Sequence, residues 1–268
     1  MTEKQRIDTL LKDYGFAAKK SFGQNFLVNE GIINRIISNM KPQEYETVIE
    51  IGPGLGSLTL PLSEKAKKLI AVDADRDMIT ILKDITKEKK NVTLVQSDFL
   101  RFDPDEYSDR KNRLFVGNLP YNITSELIEY LLRVGFESAG IMVQKEVGEK
   151  LDYKAGKKEN NPLGCMISYY GSLSVVTQVD RSSFNPSPKV DSVFLKIDLD
   201  KDVDFSLYPA VKALFKDPNK TISNCLRQSK DYSSKIQVLK EKKNDCLALR
   251  ARQLEPEEVI EIAKIISL

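Results

Sequence analysis

Short runs of Val, Ile and Leu alternate with stretches of helical period along much of this chain. Residues 47–51, 69–72, 92–95, 114–116 and 141–143 are rich in Val and Ile and too short for helices, so they read as strands. Between them the period changes. Ile32, Ile33, Ile36, Ile37 and Met40 recur at the spacing of one helical face, and Leu127, Ile128, Leu131 and Leu132 do the same within residues 126–134. This alternation predicts an α/β fold with a mostly parallel sheet.

The pattern changes after about residue 165. Residues 174–179 and 192–199 read as two strands joined by a proline-bearing loop, expected as an antiparallel pair at one sheet edge. From residue 201 onward the signals are helical. Pro256, with Glu257 and Glu258 behind it, marks a helix start, and Val259, Ile260, Ala263 and Ile266 form its apolar stripe. The expected organisation is therefore a larger domain over residues 1–200 and a small helical domain over 201–268. Residues 1–28 read as basic and irregular, with Lys19 and Lys20 before Ser21.

Composition narrows the chemistry. A chain of 268 residues, 30% charged and 41% hydrophobic, holds one sizeable domain plus an appendage. Net charge is only +2, so contact with nucleic acid has to come from local patches. Residues 220–243 carry seven such cations (Lys220, Arg227, Lys230, Lys235, Lys240, Lys242, Lys243) against Asp231 and Glu241. Residues 145–158 carry five lysines against three acids. The chain has no histidine, which excludes Ser-His-Asp catalysis, histidine bases and histidine metal sites. Cys165, Cys225 and Cys246 are odd in number and far apart, which fits a reducing cytoplasm and gives no metal spacing. No apolar run approaches the ~18 residues of a membrane span, and no signal-peptide core is present, so no membrane association is expected.

Two motifs carry chemistry. Glu50-Ile51-Gly52-Pro53-Gly54-Leu55-Gly56 follows a strand and precedes a helix. Missing side chains at Gly52 and Gly54 let a ligand approach the backbone. Asp73, 21 residues after Gly52, suits ribose hydroxyls, and Asp98, read as ending the third strand, suits an adenine amino group. A dinucleotide could use this layout. The acidic Glu50 beside the loop and the proline inside it favour S-adenosylmethionine, because a carboxylate there suits a cationic amino-acid end and repels phosphate. The second motif is Gly117-Asn118-Leu119-Pro120-Tyr121. The Asn118 side-chain oxygen, the Leu119 carbonyl held before Pro120 and the Tyr121 ring supply two acceptors and one stacking face for a planar amine.

Taken with Phe22-Gly23-Gln24-Asn25-Phe26-Leu27 and Phe184-Asn185-Pro186-Ser187-Pro188-Lys189-Val190-Asp191-Ser192, these motifs resemble the small-subunit ribosomal RNA adenine dimethyltransferases. The resemblance runs from about residue 19 to the C-terminus. It implies a Rossmann-like methyltransferase sheet, S-adenosylmethionine as cofactor, and N6,N6-dimethylation of two adjacent adenosines near the 3′ end of 16S rRNA in the small subunit or its precursor. It implies cofactor positions at Asn25, Leu27, Gly52, Gly54, Asp73, Asp98 and Asn118. Target-base positions are implied at Asn118, Leu119, Pro120, Tyr121 and Phe184. A cytoplasmic monomer with a role in subunit biogenesis is expected.

The sequence also departs from the family. Asp73 stands where a glutamate is usual, Asn160-Asn161-Pro162-Leu163-Gly164 replaces a Tyr-Gly-Arg-Leu-Ser stretch, and Pro218-Asn219-Lys220 replaces a basic cluster. The alternatives are the related 23S rRNA adenine methyltransferases of macrolide resistance, an adenine-DNA or glutamine methyltransferase, and an assembly factor acting mainly by binding. Leu119 in place of the usual Ile and the tail Leu249-Arg250-Ala251-Arg252-Gln253-Leu254 lean against the first. The single proline of the elbow leans against the second.

Overall fold

The strand–helix alternation resolves into one large sheet and one two-stranded sheet in a computed structural model that describes residues 1–16, 24–118 and 121–268. Lys19, Lys20, Phe22, Gly23, Leu119 and Pro120 lie outside the described residues. The strands are β1 Phe26–Leu27, β2 Thr47–Ile51, β3 Leu69–Asp73, β4 Val92–Gln96, β5 Arg113–Asn118, β6 Ser138–Gln144, β7 Gly171–Val179, β8 Phe184–Asn185 and β9 Ser192–Leu199. The α-helices are α1 Glu3–Asp13, α2 Glu30–Met40, α3 Thr59–Ser63, α4 Arg76–Ile85, α5 Thr124–Val134, α6 Lys145–Leu151, α7 Pro162–Tyr170, α8 Tyr208–Leu214, α9 Ile222–Arg227, α10 Ile236–Lys243 and α11 Pro256–Ser267.

The large sheet has the order β4-β3-β2-β5-β6-β9-β7. The pairs β2·β3, β2·β5, β3·β4 and β5·β6 are parallel, as the alternation predicts, and β9 runs antiparallel to β6. The two late strands are neighbours at one end of the sheet, with β9 inserted between β6 and β7. Every residue of β2 is buried. Strands covered on both faces need near-continuous apolar sequence, which is why these segments read as unbroken runs. β1 and β8 pair antiparallel, with Leu27 opposite Phe184.

Helix α2 starts at Asn29, whose side chain accepts from Ile32 N at 3.1 Å, a cap contributing about 1 kcal/mol. Its buried face, Ile33, Ile36, Ile37 and Met40, packs into one core with Val48, Leu69, Leu114, Met142 and Phe194. Helix α1 falls in the segment expected to be irregular. Thr2 and Gln5 form a reciprocal capping box, with Gln5 N to Thr2 Oγ1 at 3.3 Å and Thr2 N to Gln5 Oε1 at 2.8 Å. Ile7 is fully buried with Phe26, Leu55, Met78 and Ile81.

The chain divides into two compact units, 1–145 with 174–198, and 146–173 with 199–268. The boundary expected near residue 200 is therefore corrected: residues 146–173 cluster with the C-terminal helices. The physical reason is packing. Helix α7 buries Leu163, Met166 and Ile167 and packs on α8 and α11. Tyr153 donates its hydroxyl to Leu254 O at 2.8 Å. Within this second unit α11 begins with a capping box between Glu255 and Glu258 and buries Val259, Ile260, Ile262, Ala263 and Ile266. The departing stretch at 160–164 is the start of α7: Asn161 accepts from Gly164 N at 2.8 Å, with Pro162 in the first turn. The turn at Pro218-Asn219 is held by Arg252 Nε to Pro218 O at 2.8 Å and Arg250 Nε to Asn219 O at 2.9 Å. Among the described residues no helix is long and apolar enough to cross a membrane.

Candidate active site

A crevice opens where the strand order reverses. From β2 the chain steps out to β3 and β4, then returns to β5 on the other side of β2. The carboxyl ends of β2 and β5 lie side by side at this switch point, the place where open α/β sheets hold ligands. The cavity there is lined from the ends of β2, β3 and β5, the turn after β4, and β1.

The glycine loop forms part of its wall. Gly52 and Gly54 have φ of +63° and +54°, a region that L side chains rarely adopt. A Cβ on Gly54 would stand 3.1 Å from the Phe26 ring, so the loop and the Asn25-Phe26-Leu27 segment fit closely only without it.

Three acids face this space. Glu50 is 1% exposed, and its Oε2 has no hydrogen-bond partner among the described residues. Burial pushes its carboxyl up to about 8, the negative charge of Asp73 adds to this, and the nearby Thr59 hydroxyl opposes it. Thr59 Oγ1 is itself buried and outside hydrogen-bond geometry. Asp73 accepts from Asp75 N at 2.8 Å and Gly54 N at 3.3 Å. Burial raises it to about 6 against the pull of those backbone donors. The shorter acid in place of glutamate thus ties the β3 end directly to the glycine loop. Asp98, at the rim, accepts from Leu100 N at 3.1 Å. No lysine or arginine is among the described residues lining the cavity. That donor set fits a cationic ligand with ribose hydroxyls and an adenine amine, and it does not fit a pyrophosphate. The unpartnered, buried oxygen of Glu50 is the strongest sign of fit to S-adenosylmethionine, because an unpaired buried acceptor is costly without a partner.

The elbow follows β5. Asn118 Nδ2 donates to Asn25 O at 2.8 Å. This sets the amide orientation and leaves Oδ1 as an acceptor. Tyr121 lines the cavity, and its hydroxyl shares a 2.6 Å hydrogen bond with Ser192 Oγ. Burial raises its phenol above the ordinary value, with Ser192 opposing the shift.

The structure therefore brings Asn25, Leu27, Gly52, Gly54, Asp73, Asp98, Asn118 and Tyr121 to one cavity. It does not bring Phe184 there. Phe184 is 4% exposed in the core beside Leu27, its partner across the β1·β8 ladder. Apolar wall residues such as Phe26, Leu58, Phe99 and Leu127 were not singled out from the sequence. Phe26 and Phe99 sit directly beside named residues, whereas Leu127 looked only like part of a helix stripe. Among the described residues no group of histidine, cysteine and acidic side chains could hold a metal ion.

The basic segments differ once folded. In 145–158, Lys150 pairs with Glu146 at 2.7 Å, and Lys154 and Lys157 lie 3.1 and 3.7 Å from Asp152. In 220–243, Lys220 pairs with Asp217 and Lys243 with Glu261. Arg227 and Lys230 are exposed, and they and Lys235 make no ion pair among the described residues.

A glycine loop, successive strand-end acids and an Asn-aromatic elbow at the switch point of a Rossmann-like sheet define the methyltransferase class of α/β proteins. Comparison with known proteins narrows this. The profile of the family described as "Ribosomal RNA adenine dimethylase" matches residues 15–267, and the chain belongs to that family. It is similar to the Ribosomal RNA small subunit methyltransferase A of Clostridium botulinum, 39% identical over 192 residues covering 70% of each protein. It is also similar to that of Leuconostoc mesenteroides, 33% identical over 265 residues covering 94% of this chain and 88% of the relative. Among solved structures it resembles a dimethyladenosine transferase from Plasmodium falciparum, with a TM-score of 0.75, 26% identity, and coverage of 88% of this chain and 95% of the other. The expected fold and family are met.

Proposed function

We propose that this protein uses S-adenosylmethionine to dimethylate N6 of two adjacent adenosines near the 3′ end of 16S rRNA, within the small ribosomal subunit or its precursor. The observation that carries the reading is the orientation of Asn118, whose Nδ2 is tied to Asn25 O at 2.8 Å. Its Oδ1, which has no hydrogen bond among the described residues, is then available to an N6 hydrogen, in a cavity whose acids suit the cofactor.

When bound, S-adenosylmethionine supplies an electrophilic methyl group. The rest belongs to the chain. An adenine N6 lone pair is delocalised into the ring and is a poor nucleophile. Accepting one N6 hydrogen at Asn118 Oδ1 and the other at the Leu119 carbonyl draws the nitrogen toward tetrahedral geometry and frees its lone pair. Positioning and preorganised dipoles carry this catalysis. The base leaves its stack to reach the cavity, and the Tyr121 ring offers it a face. Glu50 and Asp73 hold the amino-acid and ribose parts of the cofactor, and Asp98 its adenine. Arg227, Lys230 and Lys235 hold RNA phosphates, which position without reading sequence. The reading implies a monomer acting in the cytoplasm on maturing small subunits, away from membranes.

The test is to offer the protein labelled S-adenosylmethionine with unmethylated small or large subunits. Label entering small-subunit RNA alone supports the reading. Label entering large-subunit RNA instead assigns the chain to the other branch of rRNA adenine methylation, and binding without label in either assigns it to assembly.

A further inference from the structure

The antiparallel strand of the sheet contributes to the site through one residue. β9 runs opposite to β6, with Gln144 facing Ser192 and Met142 facing Phe194. Met142 also faces Asn118 on β5. An antiparallel strand starts at the edge where its parallel neighbours end. Ser192, the first residue of β9, therefore arrives beside the carboxyl ends of β5 and β6, next to the elbow. Ser192 is fully buried and does not line the cavity, whereas Tyr121 does. Its Oγ lies 2.6 Å from the Tyr121 hydroxyl.

A buried hydroxyl needs a hydrogen-bond partner, and most such bonds go to backbone or water. Here the partner is an aromatic side chain of the cavity. A tyrosine ring attached only at its Cβ can swing between rotamers about its inner torsion, which carries the ring tip with it. A second attachment at the opposite end of the side chain, through the hydroxyl, fixes where the ring tip lies and so restricts the swing of the ring about its inner torsion. Thr124 Oγ1 donates to Tyr121 O at 3.4 Å, so the residue is held at backbone and ring tip alike.

Resting on the proposed adenine methyl transfer, we infer that Ser192 is a positioning residue: its hydroxyl anchors the tip of the Tyr121 ring, and so holds at the cavity the face on which the extruded base stacks. Ser192 touches neither base nor cofactor and acts through Tyr121. Small misplacements of a positioning surface lower the fraction of bound substrate in reactive geometry, so the effect falls on turnover.

Ser192→Ala and Tyr121→Phe each remove one end of the bond and keep the ring. Methylation of unmethylated small subunits is followed at varied subunit concentration, with calorimetric cofactor affinity and thermal unfolding in parallel. Each variant should lower kcat roughly 3- to 10-fold, the scale of one net hydrogen bond, with cofactor affinity unchanged. The double variant should be no slower than the slower single, because both substitutions remove the same bond. A kcat within twofold of wild type for either variant, losses that multiply in the double variant, or a lower Tm with kcat retained would each overturn the assignment. Tyr121→Phe, at a partly exposed position, keeps the test alive if Ser192→Ala fails to fold. A wild type that methylates no adenine overturns the underlying reading; an active wild type with unaffected variants overturns only the role of Ser192.

Discussion

Replacing Glu50 by Gln probes the electrostatics of the crevice through stability and binding at once. The carboxyl is 1% exposed with one oxygen unpartnered among the described residues, and burial raises it from 4.5 to about 8. Between those pH values the folded protein keeps a proton that the unfolded chain has released. The unfolded state then binds fewer protons, so stability falls as pH rises from 4.5 through about 8. At ~1.4 kcal/mol for each pH unit, the loss reaches about 5 kcal/mol by about pH 9. Gln keeps the shape and has no proton to lose. Without cofactor the variant should match wild type within about 1 kcal/mol at about pH 5 and exceed it by about 3 to 5 kcal/mol at about pH 9. It should also bind S-adenosylmethionine at least ~10-fold more weakly, because the amide cannot release a proton to become the carboxylate that the cationic amino group favours on binding, a loss of about 1.4 kcal/mol or more. Urea unfolding at the two pH values measures the first effect, and calorimetry the second. A stability gap that does not widen with pH, or an undiminished cofactor affinity, would refute the reasoning.

Other consequences follow from the same geometry. Asn118→Ala should cut turnover by ~100-fold or more, the scale of a lost preorganised contact; single-turnover methylation within two- or threefold of wild type would remove Asn118 from the role assigned. Asp73→Ala should weaken S-adenosylmethionine binding by calorimetry, and tighter binding of NAD than of S-adenosylmethionine by the wild type would contradict the cofactor. Changing Arg227, Lys230 and Lys235 together to Ala should weaken small-subunit binding and flatten its salt dependence by roughly one unit per lost phosphate contact. Unchanged affinity and slope would leave that face merely solvated.

The sheet was legible because its central strands are buried on both faces and must be apolar throughout. Residues 47–51 and 69–72 read correctly as strands for that reason. Strand order was not legible: the insertion of β9 between β6 and β7 is a non-local pairing without a local signature. Helix α1 was missed although Thr2 and Gln5 spell a capping box and Ile7, Leu10 and Leu11 keep a helical spacing; its polar majority hid them. Residues 146–173 looked continuous with the first domain because their contacts to α8 and α11 come from far along the chain. The convergence of Gly52, Asp73 and Asn118 on one cavity is legible because turn and strand-end chemistry is local. Phe184 was not readable in the same way. Its motif marks it, but its neighbours across β1 bury it. The motif around Ser192 gives that residue no role, because only the antiparallel register shows that its hydroxyl meets Tyr121.

The central claim is that the crevice beside Asn118 dimethylates adenine in small-subunit rRNA. The most direct measurement is nucleoside mass spectrometry of 16S rRNA from unmethylated small subunits incubated with the protein and S-adenosylmethionine, with the modified positions mapped. The account predicts N6,N6-dimethyladenosine at two adjacent positions near the 3′ end, absent when Asn118→Ala protein is used. Monomethylated adenine elsewhere, or a 16S rRNA that stays unmodified while cofactor binds normally, would contradict it.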